Sequence, residues 1–542
     1  EVLRGMGDKA AARQLAVENG VPVVPGWDGA DDDATLVREA ARIGFPVMLK
    51  ARGGGGGRGM REVFIAEQLP EAIESARREA LAAFGDGGLL LEKLVTNAHH
   101  VEVQVLADTH GNVIHLGERD CSVQRRHQKL IEETPSPVVD DALREQLTGH
   151  ALKLARAIGY VNAGTFEFLV TPETATADPR AYFLEVNPRL QVEHPVTEMV
   201  TGLDLVELQL RVAAGEPLPL RQEEVQFEGH AIEFRVNAED PWDGFKPSSG
   251  RIEVLWGEDA TRYDAGFAEG DVVPGQYDSL IGKRIFHQPT REEAVASAWV
   301  IGADDVFGIR TNLGLLKAIA RSTEFGAGRA TIDWLERNLP ELLESGSRAA
   351  NEWAAAACGF VVAEANGPAQ WIGAGTVSLW LDDGIETRQV EIALEAGAGG
   401  TKIGNAWVGP GREQVSFRAG RREGVLVVSG AGWSLEPSIE VTRGHPTAYL
   451  NGDIYLVAPP PLPRHVRAVA EGATAITAPL SGTIAAVRVA EGDAVVAGQL
   501  LLVLEAMKME HRITAPTDAT VKSVNVSERD TAREGDVLVE LG

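Results

Sequence analysis

In the stretch FLEVNPRLQVEHPVTEM, Glu185, Asn187, Arg189, Gln191 and Glu193 stand at every second position. In extended backbone that spacing turns all five side chains to one side, with Val186, Leu190 and Val192 on the other. Carboxylate and amide oxygens suit Mg²⁺ beside nucleotide phosphates. An arginine offers a planar fork to a small carboxylate-like anion. Glu167, in GTFEFLV, comes from another strand-like run and would complete a metal site. An ordinary solvated strand shows the same alternation, and Pro188 and Pro195 argue against a regular strand throughout.

A second candidate lies upstream. FPVMLKARGGGGGRGMREVFI places five glycines and then Arg58 between two strand-like runs, with Lys50 just before them. No GK[ST] follows and no helix begins there, so it is not a Walker loop. A Gly-rich hairpin turn can close over phosphates, its N–H groups facing the oxygens and Lys50 supplying a cation. A plain flexible loop has the same composition, and the residues alone leave both readings open.

The third is Lys508 in EAMKMEH, bracketed by two of the six methionines in 542 residues. A lone MKM would be read as a surface turn. Here the flanking segments repeat each other at a shift of 37 residues: Ala478 meets Ala515, Thr483 Thr520, Asp493 Asp530, Gly498 Gly535 and Leu504 Leu541. Both halves alternate apolar and polar residues between Gly and Asp turns, which predicts short strands related by a pseudo-two-fold axis. Lys508 falls at the join, at the tip of a compact β module.

Positioning these groups takes more than one core, since 542 residues call for three or four domains. Residues 1–213 mix helical runs such as DKAAARQLAVENG with strands such as HHVEVQVLAD, an α+β pattern, and 214–340 continues with strands and then helices. NEWAAAACGFVVAE reads as one helix, and the short alternating strands after it predict an antiparallel barrel or sandwich over 345–458. PPPLP opens a stiff linker, 459–467, before the module at 468–542. A net charge of −28 disfavours nucleic acid or an anionic membrane as partner. No apolar run is long enough to span a bilayer. Cys121 and Cys358, the two cysteines, rule out a disulfide framework and suit a reducing compartment. Cys121 is read as a packing residue rather than a nucleophile.

Several long stretches, in a single order, closely resemble the biotin carboxylase family of ATP-grasp enzymes: MGDK, KARGGGGGRGMR, HHVEVQVL, ERDCSVQRRHQK, GTFEFL, EVNPRLQVEHPVTEM and EFRVNAEDP. The segment around Lys508 resembles the biotinyl carrier domain, whose attachment lysine lies in the same AMKM setting. The related lipoyl domain typically carries DKA there. Ala519 departs from the pattern, standing where the carrier family usually has glycine. Together the resemblance is to the α subunit of a biotin-dependent acyl-CoA carboxylase. It implies an ATP-grasp core with a lid over about 24–96, a β-barrel that docks a β subunit, and a flattened-barrel biotinyl domain. The α/β subdomain that precedes MGDK in the family does not occur in this sequence. A second reading therefore stands beside the enzyme: a biotin-carrying assembly subunit, inactive without that subdomain.

Residue by residue, the resemblance implies that Lys9, Lys50, Gly54, Gly55, Gly56, Gly57, His100, Gln124 and His127 contact ATP, with Glu92 and Lys93 at the adenine. Glu167, Glu185 and Asn187 would hold Mg²⁺, with Mn²⁺ as an alternative. Bicarbonate would lie against Lys129, Arg189, Gln191, the Val192 N–H and Glu193, with Glu193 as base. Arg235 would face the ureido oxygen of biotin, carried covalently on Lys508. Carboxybiotin would pass to a separate carboxyltransferase β subunit acting on an acyl-CoA of propionyl, methylcrotonyl or acetyl type. A biotin protein ligase would load Lys508, and the chain would work in a hetero-oligomer in the cytoplasm or, alternatively, the mitochondrial matrix.

Overall fold

The computed structural model describes residues 9–52, 60–171, 181–255, 260–301, 305–345, 350–362, 370–371, 376–383, 385, 387–396, 402–422, 425–442, 445–450, 453–458, 474–479, 482–506, 509–533 and 535–542. Near the N-terminal end, β1 (Gly26–Trp27), β2 (Val47–Ala51), β3 (Met60–Val63) and β4 (Leu89–Lys93) form an antiparallel sheet in the order β1-β4-β2-β3. Val47, Leu49, Leu89 and Leu91 turn to one face and pack under helices Asp33–Ile43 and Leu69–Phe84. The opposite face therefore carries Lys50 and Glu92. Asp32 caps the first helix by accepting from the Thr35 N–H at 2.9 Å, and Gly44, at φ +83°, ends it.

The same alternation builds a larger sheet from β5 (His99–Ala107), β6 (Val113–Arg125), β7 (Gln128–Thr134), β8 (Asn162–Val170), β9 (Ala181–Asn187), β10 (His230–Asn237), β11 (Arg262–Ala265) and β12 (Leu280–Gln288). Its order is β11-β12-β10-β7-β6-β5-β8-β9, with every neighbouring pair antiparallel. Val101, Val103, Val105, Phe166, Phe168 and Phe183 join the apolar stripe of helix Asp141–Ala157 in one core. The alternate residues, His100, Glu102, Gln104 and Glu167, are polar and still buried. Toward the other end, Ile232, Phe234, Val236 and Phe286 pack beneath helices Arg291–Ser297, Leu313–Ala320 and Trp334–Ser345. One face of this sheet is thus apolar, and the other is left for chemistry.

Helix Ala350–Val362 is apolar all round from Trp353 onward, and Trp353, Cys358 and Phe360 are buried against strands running from Thr376–Asp382 to His445–Leu450. A single antiparallel sheet wraps this helix, each strand pairing with the next along the order. Among the described residues, its end strands Trp433–Leu435 and Ser438–Thr442 do not pair with each other. The wrapped sheet sits on the catalytic half through Arg310, whose guanidinium donates to Asp382 at 2.9 and 3.1 Å and to the Thr387 hydroxyl at 2.6 Å. Val254, Phe307 and Leu456 close the same contact with a small apolar cluster.

The C-terminal module keeps the symmetry of its repeat. The 37-residue shift carries strand Gly482–Val487 onto Ala519–Val524 and Ala494–Val495 onto Thr531–Ala532. The two four-stranded sheets have matching orders, and their inner faces share Ile484, Leu502, Leu504, Val521, Val539 and Leu541. Ala506 pairs with Met509 across the join. Lys508 itself, glycines 54–57 and the Pro-rich linker 459–467 lie outside the described residues. No described helix is long and apolar enough to cross a membrane.

Candidate active site

Cross-strand register gathers the polar face into one cluster. Glu102 on β5 stands opposite Arg119 on β6 and Glu167 on β8. Glu167 in turn stands opposite Glu185 on β9, and Gln124 on β6 opposite Lys129 on β7. Lys129 Nζ is the hub. It donates to Glu102 at 2.6 Å, Glu193 at 2.6 Å and Glu167 at 3.2 Å. Burial pushes this amine down, but the carboxyl groups around it (Glu102, Glu167 and Glu193) outweigh burial and hold it firmly protonated.

Arg235, on β10, links the hub to the next strand. Its Nε donates to Glu132 at 2.6 Å and its Nη2 to Glu193 at 2.8 Å. Glu193 is fully buried; burial raises its pKa, but Lys129, Arg235 and Arg119 reverse this and hold the carboxylate ionised. Glu167 is likewise ionised, since Lys129 and His100 overcome its burial. Glu102 differs: burial pushes it up to about 7, and the pull of Arg119 at 2.6 Å only partly offsets this. The Cys121 thiol is fully buried and pushed well up, so it is no thiolate nucleophile, in keeping with a packing role.

The run from Glu185 to Glu193 is not one extended strand. β9 ends at Asn187, the Arg189 N–H turns back to the Asn187 carbonyl at 2.8 Å, and helix His194–Thr201 starts after Glu193. Pro188 and Pro195 account for the break. Alternation thus holds for Glu185 and Asn187. Beyond it a turn leaves Arg189 exposed and brings Gln191 and Glu193 into the interior. The Val192 carbonyl accepts from Lys283 at 2.7 Å, which fixes this turn over β12.

Glu167, Glu185 and Asn187 come together as an oxygen-rich set. The two glutamates face each other across β8 and β9, and the Asn187 amide donates to Glu167 at 2.8 Å. This donor set fits Mg²⁺. His100 Nε2 lies 2.9 Å from Glu167 on the same face. In the small sheet, Lys50 and Glu92 meet at 2.5 Å, so the cation and the residue expected at the adenine hold each other. The Lys93 ammonium donates to the Gly44 and Phe45 carbonyls at 2.9 Å each, which commits two of its three N–H donors. Gln124 is buried and His127 exposed on the turn between β6 and β7. Lys9 opens helix Lys9–Glu18, its side chain outside the description.

Sequence reasoning passed over Glu102, Arg119, Glu132, Glu233 and Lys283, all of which border the cluster. One signal was available. Ionisable residues at every second position in valine-, isoleucine- or phenylalanine-rich strands, as in HHVEVQVLA and HAIEFRVN, mark a sheet face too buried to be a solvated one.

Comparison with known proteins adds independent findings. Residues 8–221 match the family described as carbamoyl-phosphate synthase L chain, ATP binding domain, residues 233–337 the biotin carboxylase C-terminal domain, and residues 474–541 the biotin-requiring enzyme family. The mitochondrial methylcrotonoyl-CoA carboxylase subunit alpha of Mus musculus is 39% identical over 541 residues, covering 94% of this chain and 74% of that one. Biotin carboxylase of Pseudomonas aeruginosa is 47% identical over 346 residues, 62% of this chain and 75% of its own. Among solved structures, the biotin carboxylase domain of Hydrogenobacter thermophilus 2-oxoglutarate carboxylase, with MgADP and bicarbonate, aligns at a TM-score of 0.60 and 44% identity. It covers 64% of this chain and 76% of that one.

Proposed function

The chain belongs to the biotin-dependent carboxylase family that includes the methylcrotonoyl-CoA carboxylase α subunits, and from that premise we propose that the cluster around Lys129 is where it activates bicarbonate with ATP. The reaction is ATP-dependent carboxylation of biotin, with biotin, ATP and Mg²⁺ as cofactors. The observation that carries the site assignment is the single ammonium of Lys129 shared among Glu102, Glu167 and Glu193, with Arg235 on the far side of Glu193. An anion entering between Lys129 and Glu193 would meet two cations and a carboxylate already ionised to take its proton.

The residues then divide the work. Lys129, Arg189, the Gln191 amide and the Val192 N–H would bind and orient bicarbonate, and the Gln191 Nε2 is buried without a partner among the described residues. While Lys129 and Arg235 both grip Glu193, its basicity is low. As bicarbonate takes over part of that grip, the carboxylate strengthens as a base and accepts the bicarbonate proton. The bicarbonate oxygen attacks the γ-phosphorus, and the bond to the ADP oxygen breaks. Catalysis of this step is positioning and charge neutralisation. Lys9, Lys50, glycines 54–57, His100, Gln124 and His127 would bind the nucleotide, with Glu92 and Lys93 at its base. Mg²⁺ on Glu167, Glu185 and Asn187 would supply charge neutralisation at the phosphates. The carboxyphosphate so formed would release CO₂ and phosphate, and that phosphate would take the N–H proton of biotin on Lys508, whose nitrogen accepts the carboxyl group while Arg235 donates to its ureido oxygen.

Members of this family act with a carboxyltransferase partner. We assign that docking to the wrapped sheet of residues 370–458, an acyl-CoA of methylcrotonyl type to the partner's site, and the loading of Lys508 to a biotin protein ligase. Radiolabelled bicarbonate tests the reading. With ATP, label should appear on the biotinylated chain and disappear in Lys508→Arg and Glu193→Gln. Label retained in Glu193→Gln would remove Glu193 as the base.

A further inference from the structure

Glu233 is a fully buried carboxyl beside the cluster to which the chemistry above gives no task. It lies on β10 two residues before Arg235, on the same sheet face, and shows no solvent exposure. Neither of its oxygens has a hydrogen-bond partner among the described residues. The nearby cations are all committed elsewhere. Arg235 donates to Glu132 and Glu193, Lys129 to Glu102, Glu167 and Glu193, and Lys283 to the Val192 carbonyl. On the flanks, Val196 and Val200 of helix His194–Thr201, with Ala231 and Ile285, form an apolar cluster, and Ile285 is the cross-strand neighbour of Glu233. An ionised carboxylate without a donor in such surroundings is prohibitively costly, whereas a neutral acid is not.

Directly opposite Glu233 on β7 stands Glu132, also fully buried. Glu132 Oε1 accepts from Arg235, and Glu132 Oε2 has no partner. Two carboxyl groups on directly opposed positions of adjacent strands, with unmatched oxygens on both, can satisfy each other. One proton then lies between them, with the acid donating to the carboxylate. We propose that Glu233 and Glu132 share a single proton as a carboxyl–carboxylate pair, and that this pair is a positioning device for Arg235. The assignment of Arg235 to the biotin oxygen rests on the reaction proposed above. The proton fixes the Glu132 carboxylate so that Oε1 holds the Arg235 Nε. It also removes one negative charge from a guanidinium that already faces Glu132 and Glu193. Burial first, and then the neighbouring Glu132 charge, push the Glu233 carboxyl well up, against the pull of Lys283 and Arg235, and Glu193 adds in the same direction. With all three carboxylates ionised, Arg235 would be over-neutralised and less able to stabilise negative charge on a bound oxygen.

Two measurements test the pair. In the biotinylated full chain without substrates, infrared difference spectra of wild type and Glu233→Gln are compared well above pH 7, where Glu102 has ionised. The expected result is a protonated-carboxyl carbonyl band in wild type that Glu233→Gln removes. In the second, kcat and the ATP KM are followed against pH for wild type, Glu233→Ala and Glu233→Gln. The alanine variant should lose kcat by about tenfold with the ATP KM unchanged. The glutamine amide can still donate to Glu132, so that variant should recover most of the loss. It should also keep its activity at alkaline pH, where wild type declines as the shared proton leaves. Absence of the band in wild type, or a glutamine variant no better than alanine, overturns the pair. The infrared result does not depend on turnover, so failure of wild type to turn over would fall on the proposed reaction and leave the pair to be decided by its band.

Discussion

A single ammonium among three buried carboxylates makes Glu102 the residue whose titration reports on the site. Its value rises from an ordinary 4.5 to about 7, chiefly by burial. Between those values the unfolded chain has lost a proton that the folded chain keeps. Stability therefore falls as pH rises through that window. Glu102→Gln should abolish this contribution. The difference in thermal midpoint between Glu102→Gln and wild type is expected to move in the variant's favour from pH ~4.5 to ~7 and then level off. A difference that is flat across the window would mean that Glu102 is ionised throughout. At this scale the sequence was informative where chemistry is written in residue types. Glu193 and Asn187 could be named from their types and spacing, and Lys129 from the family resemblance, and all of them border the cluster. It was silent on Glu102, Glu132 and Arg119, whose importance comes from register between strands. No spacing along one strand encodes what stands opposite on the next.

Elements position these groups through contacts distant in sequence. The hairpin of β6 and β7 carries Gln124, His127 and Lys129, and it turns through two non-glycine residues at positive φ, Arg126 at +47° and His127 at +64°. Such a turn needs external support. Arg125 provides it. Its guanidinium lies 3.7 Å from the Phe245 ring centroid and 3.6 Å from Glu239, and Glu239 is held by the Ser279 hydroxyl at 2.5 Å. The Glu336 carboxylate accepts the Arg126 N–H at 3.0 Å. Arg125→Ala should therefore loosen the nucleotide turn and raise the ATP KM by roughly tenfold, with a smaller effect on kcat. Steady-state kinetics over ATP concentration decide it, and an unchanged KM would remove the clamp. Local periodicity foretold β5, β8, the helix Ala350–Val362 and the repeat strands of the C-terminal module. The prolines also marked the end of β9 at Asn187, although the alternation of polar residues continues past it.

Across the whole molecule, the proposed reaction joins two distant pieces of chain. The cluster lies on one face of the eight-stranded sheet, and the proposed carrier Lys508 falls in sequence between Ala506 and Met509, which pair with each other in the C-terminal module. Between them the wrapped sheet is fastened to the catalytic half by the Arg310 fork on Asp382. The carrier module follows the proline-rich stretch, and tethering at a suitable reach keeps biotin near the site at roughly millimolar effective concentration. The repeat foretold the symmetry of the carrier, and the short strands foretold an antiparallel middle region. The single sheet curled round a helix was not legible, because curvature comes from the packing of that helix and not from alternation. The most direct test of this account is ADP release from the biotinylated chain with Mg-ATP, with and without bicarbonate, compared with the unbiotinylated Lys508→Arg chain. The account predicts rapid release only when bicarbonate and carrier biotin are both present, and recovery of Lys508→Arg on addition of free biotin. Release that is indifferent to biotin, or that responds to another acid in place of bicarbonate, would contradict it.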